Sequence, residues 1–115
     1  NISAADYINM LATREKIWAD VQVMTQHFDA LILPTSPILP PALRTLDTIE
    51  AKTALNASCL RNTSLSNYLD RPTITLPCHS WGTAPVGISL MGPRFHDRHL
   101  LAIASGVEKV INTTR

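Results

Sequence analysis

Two short apolar runs, Thr73–Pro77 and Val86–Met91, constrain this chain more than any other feature, because proline or glycine closes each within five or six residues. Runs rich in isoleucine, leucine, valine and threonine that end this sharply read as short strands. The stretch that holds them, Asn62–Pro93, begins with an Asn-rich helical piece, and a helix start at Phe95-His96-Asp97 follows it. It reads as a packed α/β segment, and no catalytic constellation lies within it.

The remainder of the chain extends that pattern. Ser3-Ala4-Ala5-Asp6 has the spacing of a capping box, with Asp where Glu or Gln is preferred. Beyond it Tyr7, Leu11, Trp18, Val21 and Phe28 fall near three- and four-residue steps, one apolar stripe on a helix from about Ser3 to His27. Ala30-Leu31-Ile32-Leu33 is an unbroken apolar run, which suggests a strand covered on both faces. Pro34-Thr35-Ser36-Pro37 stops it, and loops at such strand ends are where α/β proteins place ligands. Pro40-Pro41 marks an irregular crossover. Helical character returns from about Ile49 to Tyr68, with Leu55, Cys59 and Leu65 as inward residues. The threonines, serines and asparagines there lower helix propensity, and a break near Asn62 is one reading. Leu100, Ile103, Ala104, Val107 and Ile111 form a stripe on a closing helix. Helices interleaved with strands in the order α, β, loop, α, β, β, α imply an α/β fold with helices covering a sheet. Three strands leave an unpaired edge on each side, so the sheet reads as part of a larger one.

Composition narrows the functional classes. The 115 residues are 45% apolar and 17% charged with a formal net charge of +1, an ordinary globular balance that gives no reason to expect nucleic acid or a membrane surface as partner. No run approaches the roughly 18 apolar residues of a membrane span. No secretory leader is visible, and the expected compartment is the cytoplasm. Cys59 and Cys78 are too few for a disulfide framework and read as reduced, buried thiols. His96 and His99 stand three apart and Cys78-His79 adds two donors, but the spacing shows no convergence of three or four ligands, so no metal is expected. No serine sits in a Gly-x-Ser-x-Gly elbow, and four dispersed glycines exclude a glycine-rich phosphate loop. On these grounds the chain has no complete active site.

Taken together, several segments resemble one family. Phe28-Asp29-Ala30-Leu31-Ile32-Leu33-Pro34-Thr35-Ser36-Pro37 is similar to the FD-x-L-L-x-P-T-x-P strand of amidase-signature hydrolases. Asn67, Pro72, Ile74–Leu76, Pro77-Cys78 and Ala84-Pro85-Val86-Gly87 resemble that family's next pattern in order and spacing, and Asp97, Leu100-Leu101 and Glu108 its last core helix. Two positions depart from it: Asp70 and His79 stand where the family prefers glycine. They imply altered loops and bear on substrate rather than fold.

The resemblance implies the C-terminal part of the amidase-signature α/β/α fold, residues 1–115, with helices covering strands of a mixed sheet. It implies hydrolysis of a carboxylic amide by a serine activated through a second serine and a lysine, all upstream of this chain; Lys16, Lys52 and Lys109 match no catalytic position. No catalytic residue and no cofactor is therefore expected here, and the segment alone should be inactive. Arg14 stands 20 residues before Pro34, similar to a pocket arginine of the amidotransferase A subunits that would hold a substrate carboxylate in its fork. A structural arginine is the competing reading. Thr35 and Ser36 are the other candidate substrate-binding residues; satisfying turn backbone is their alternative role. The expected partners are a small-molecule amide in the full-length enzyme and, through faces left uncovered, another copy of the chain as a homodimer. A non-catalytic binding or assembly module derived from an amidase tail is the other function class.

Overall fold

The computed structural model describes residues 1–113. The last two residues of the expected unit, Thr114 and Arg115, lie outside the described residues. Helix α1 (Ala4–Thr25) leads to strand β1 (Leu31–Pro34), a single 3-10 turn (Leu43–Thr45) and helix α2 (Ile49–Leu69). Strands β2 (Thr73–Pro77) and β3 (Gly87–Met91) follow, and helix α3 (Asp97–Thr113) closes the described chain. The expected elements are all present, with ends within two or three residues of those read from the sequence.

The sheet order is β1-β3-β2. Both ladders are antiparallel, with Ile32 and Ile74 opposite Leu90, and Pro34 and Leu76 opposite Ile88. β1 and β2 therefore run the same way on either side of β3, and the loops that leave both emerge at one end of the sheet. Alternation sorts the side chains onto two faces. Leu76 and Leu90 are buried on the face covered by α3, whose Leu100 and Ala104 pack there with Ile103, Val107 and Ile111 alongside. Thr73, Thr75, Ser89 and Met91 look the other way, towards Asn62, Thr63 and Ser66 of α2. Leu90 and Met91, neighbours that point to opposite faces, are both fully buried. Each contributes roughly 2 kcal/mol through apolar burial.

β1 is covered less completely than its uninterrupted apolar run suggests. Ile32 lies on the α3 face yet stays 67% exposed, because α3 packs over β2 and β3 rather than over this edge. The α1 stripe behaves similarly: Trp18 and Val21 are half-buried, while Tyr7, Leu11 and Phe28 remain exposed. With a radius of gyration of 17.5 Å and a thickness of 19 Å the molecule is a slab. A compact chain of about 100 residues has a radius near 13 Å. The unburied apolar faces account for the difference.

α2 runs unbroken through Asn62. Its hydroxyls turn back onto their own helix, Thr53 onto Ile49 O and Ser58 onto Ala54 O at 2.8 and 2.9 Å, rather than competing for other conformations. Asn62 Nδ2 donates to Pro34 O at 2.7 Å and ties mid-helix to the end of β1. Thr48 caps the start by accepting from Ala51 N–H. At the far end Asp70 takes a left-handed conformation, φ 54°, where glycine is usual and Asp is tolerated. Arg94 donates to its carboxylate at 2.6 Å and holds it there. The turn thus keeps its form despite the departure from glycine.

α1 begins at the expected capping box. Ser3 Oγ accepts from Asp6 N–H at 3.1 Å, and Asp6 Oδ2 accepts from both the hydroxyl and the amide of Ser3 at 2.7 and 3.1 Å. The hydroxyl first and the amide second hold the Asp6 carboxyl below its ordinary value. Arg71 is buried, and desolvation lowers its guanidinium pKa. Its Nη2 donates to Thr25 Oγ1 at 2.8 Å, which fastens the β2 entrance to the end of α1.

Candidate functional site: a neutral hollow at the strand ends

The end of the sheet from which β1 and β2 depart carries a hollow of about 420 Å³. One rim is the turn after β1, from Thr35 to Leu39; the other is Thr75, Pro77 and His79, with Pro85, Val86 and Gly87 leading into β3. Pro34 and Pro77 are the last residues of β1 and β2; one further bond each, from Thr35 N–H and Cys78 N–H to β3 and its approach, precedes the point where the two chains part and leave the recess. The volume falls within the roughly 300–1,000 Å³ range of ligand pockets. No Asp, Glu, Lys or Arg lines it.

Thr35 and Thr75 of its lining join Ser89 in a three-hydroxyl cluster that links β2, β3 and the residue after β1. Thr35 and Ser89 hydroxyls lie 2.7 Å apart, those of Thr75 and Ser89 3.0 Å, and Thr35 Oγ1 donates to Thr75 Oγ1 at 3.3 Å. Ser89 is buried at the centre, so this network satisfies its hydroxyl. Thr35 N–H adds one more ladder bond, to Gly87 O at 2.9 Å, which fixes the threonine beside β3. Gly87 is required here for space: a Cβ at that position would stand 2.9 Å from Thr75 Cγ2 and 3.2 Å from Thr35 Oγ1.

The structure brings Thr35 and Ser36 together in the hollow, and Arg14 elsewhere. Thr35 spends its hydroxyl on the cluster, whereas Ser36 braces its own turn, donating to Ile38 O at 3.1 Å and accepting from Ile38 N–H at 3.4 Å. Arg14 borders a separate depression between α1 and α2. Its Nε donates to Tyr68 O and its Nη2 to Asn67 O, both at 2.9 Å, and Trp18 Nε1 donates to Tyr68 O at the same distance. The fork thus caps the carbonyl end of α2, where a cation is favoured. Trp18 lies between two guanidinium groups, Arg14 at 4.6 Å and Arg94 at 4.0 Å from its ring centroid. Nε and Nη2 of Arg14 thus serve the end of α2, as the structural reading of this residue expects.

Thr75, Ser89 and Gly87 were not among the sequence candidates. The signal for the first two was available: Thr73 and Thr75 alternate with Ile74 and Leu76, and Ser89 with Ile88 and Leu90, which places hydroxyls on one inner face. His79 was noted as a departure and as a metal donor, not as a substrate-binding residue. Among the described residues no group of three His, Cys, Asp or Glu side chains is placed to hold a metal ion. His96 instead faces the Arg94 carbonyl at 2.8 Å, and His99 Nε2 lies 3.5 Å from Asp29. Both cysteines are unpaired thiols, and no described helix is long and apolar enough to cross a membrane.

The recess is walled by strand-end loops and lined with hydroxyl and aliphatic groups. An amidase family model matches residues 1–101, and the chain belongs to the amidase family. It is 32% identical over 111 residues to 2-amino-5-chloromuconic acid deaminase of Comamonas testosteroni, a match covering 96% of this chain and 24% of that protein. The A subunits of the glutamyl-tRNA(Gln) amidotransferases are similar too: that of Sulfurisphaera tokodaii is 33% identical over 106 residues, covering 92% of this chain and 22% of that protein. The structure of allophanate hydrolase from Kluyveromyces lactis matches with a TM-score of 0.71 at 27% identity, over 86% of this chain and 16% of that one. The chain thus spans about a quarter of the length of these curated relatives. The likeness to the allophanate hydrolase structure takes in most of the helices and sheet described above.

Proposed function

We propose that this chain is the C-terminal portion of an amidase that hydrolyses a carboxylic amide to an acid and ammonia or an amine. In this reading the nucleophilic serine, the bridging serine and the lysine lie on a preceding part of the protein, together with the oxyanion hole. Those groups supply the covalent step and its charge stabilisation. The present segment supplies one wall of the acyl pocket, with Thr35 and Ser36 facing the bound acyl group. Arg14 contributes by anchoring α1 on α2 rather than by touching substrate.

The observation that carries the proposal is the neutral hollow at the ends of β1 and β2, in a chain that belongs to the amidase family. The names of the relatives support the chemistry, since a deaminase and a hydrolase are among them. The exposed apolar residues of α1 and Ile32 support a covering body, either the remainder of the protein or a second copy. Unpaired Cys59 and Cys78 fit a reducing, cytoplasmic compartment.

The test is ammonia release from a panel of primary amides, measured with the full-length protein and with the 115-residue chain. Turnover by the former and none by the latter is expected. A folded full-length protein that binds amides without releasing ammonia would favour a non-catalytic binding module instead.

A further inference from the structure

We propose that His79 is a specificity-determining residue of the hollow, reading a hydrogen-bond donor carried by a neutral, largely apolar acyl group. The proposal rests on the amidase reading above and adds the substrate class. It begins with the Val86 carbonyl, which is approached by Cys78 N–H at 2.9 Å, Cys78 Sγ at 3.6 Å and His79 Nδ1 at 3.2 Å. A carbonyl oxygen can only accept, so in the neutral ring Nδ1 carries the proton and Nε2 is left with a lone pair.

The hydroxyl protons of the lining are spent within the protein, while each hydroxyl oxygen keeps one lone pair. Thr35 and Thr75 are committed to Ser89 and to each other, and Ser36 to the backbone of Ile38. Nε2 of His79 has no hydrogen-bond partner among the described residues, so its lone pair is wholly unengaged, whereas each hydroxyl oxygen of the lining already takes part in bonds within the protein. Around it stand Pro37, Ile38, Leu39, Pro77 and Pro85, with no charged side chain. Such a lining gives no compensation to a carboxylate and favours an apolar body. A donor such as a phenol or a ring N–H meets the lone pair. An ether or carbonyl in the same place puts acceptor against acceptor and loses the bond.

The probes are 3- and 4-hydroxyphenylacetamide, their methoxy counterparts and phenylacetamide, assayed with the full-length enzyme at about pH 8, where free imidazole is neutral. We expect the better hydroxy amide to exceed its methoxy counterpart in kcat/KM by about tenfold, the effect expressed mainly in KM. In H79A this hydroxy-over-methoxy ratio should fall towards one, with phenylacetamide turnover of the same variant as the reference. H79Q, whose amide oxygen can still accept, should retain part of the preference, a rescue that a merely structural role would not produce. An undiminished preference in both variants, or none in the wild type, overturns the assignment of His79 and leaves the amidase reading standing. No ammonia from any of the five amides with folded enzyme overturns both.

Discussion

Gly87→Ala tests the construction of the hollow directly. Gly82 is the only described glycine with a positive φ, so what Gly87 provides is room rather than backbone freedom. The added Cβ would meet Thr75 Cγ2 at 2.9 Å, Thr35 Oγ1 at 3.2 Å and Leu76 O at 3.5 Å. Neither threonine can swing aside without breaking the hydroxyl cluster, because Ser89 holds both. Overpacking of this kind costs about 1–3 kcal/mol. The stiffer unfolded chain of alanine returns roughly 0.4–1 kcal/mol. The net expectation is a loss of about 1–2 kcal/mol, read as a lower urea midpoint with an unchanged slope. Thr75→Ser deletes the offending methyl and keeps the hydroxyl. In that background the cost of G87A should shrink by at least about 0.5 kcal/mol. Relief should be partial, since the contact with Thr35 persists. A G87A protein as stable as its parent, or strict additivity with T75S, would refute the geometry proposed for these three strands.

Three further perturbations address other parts of the structure. Ser89→Ala removes the hub of the cluster at no cost in volume beyond one oxygen; a loss of about 1–2 kcal/mol is expected from the urea midpoint, since the exposed Thr75 can turn to water. Arg14→Lys loses the two-pronged cap on Tyr68 and Asn67, so stability should fall by about 1–2 kcal/mol while KM for phenylacetamide holds. Raised KM for carboxylate-bearing amides at unchanged stability would instead identify Arg14 as a substrate clamp. For Asp6 the folded carboxyl sits below its unfolded value, so its contribution is present above the ordinary aspartate range and fades as pH falls through the lowered value. Protection of the Asp6 amide against hydrogen exchange should therefore drop below about pH 4 and become independent of pH in D6N.

How much of this could be read from residues alone depended on how local the cause was. The stripe Leu100, Ile103, Ala104, Val107, Ile111 lies on the core as its period requires, and the two proline-bounded runs are strands within a residue of their expected ends. The Ser3–Asp6 box likewise needs only neighbours in sequence. Where tertiary contacts decide, the sequence was ambiguous. The continuity of α2 depends on hydroxyls folding back onto the helix and on Asn62 reaching Pro34, 28 residues away. Arg14 finds its partners 53 and 54 residues along the chain, and a spacing to Pro34 contains no trace of that. The α1 stripe shows the converse limit. Its periodicity marks a face built to be covered, and no element among the described residues covers Tyr7, Leu11 or Phe28. In the hollow, Thr35 and Ser36 were visible as strand-end hydroxyls, but their division of labour was not. Thr35 joins a network with β2 and β3, whereas Ser36 serves its own turn.

The most direct measurement is continuous ammonia release from phenylacetamide by the full-length protein, with the 115-residue chain assayed beside it. We expect saturable turnover by the full-length protein, abolished by removing its nucleophilic serine, and none by the chain alone. No turnover of this or any other neutral primary amide by the folded, full-length protein would contradict the assignment of the hollow as the wall of an amidase pocket.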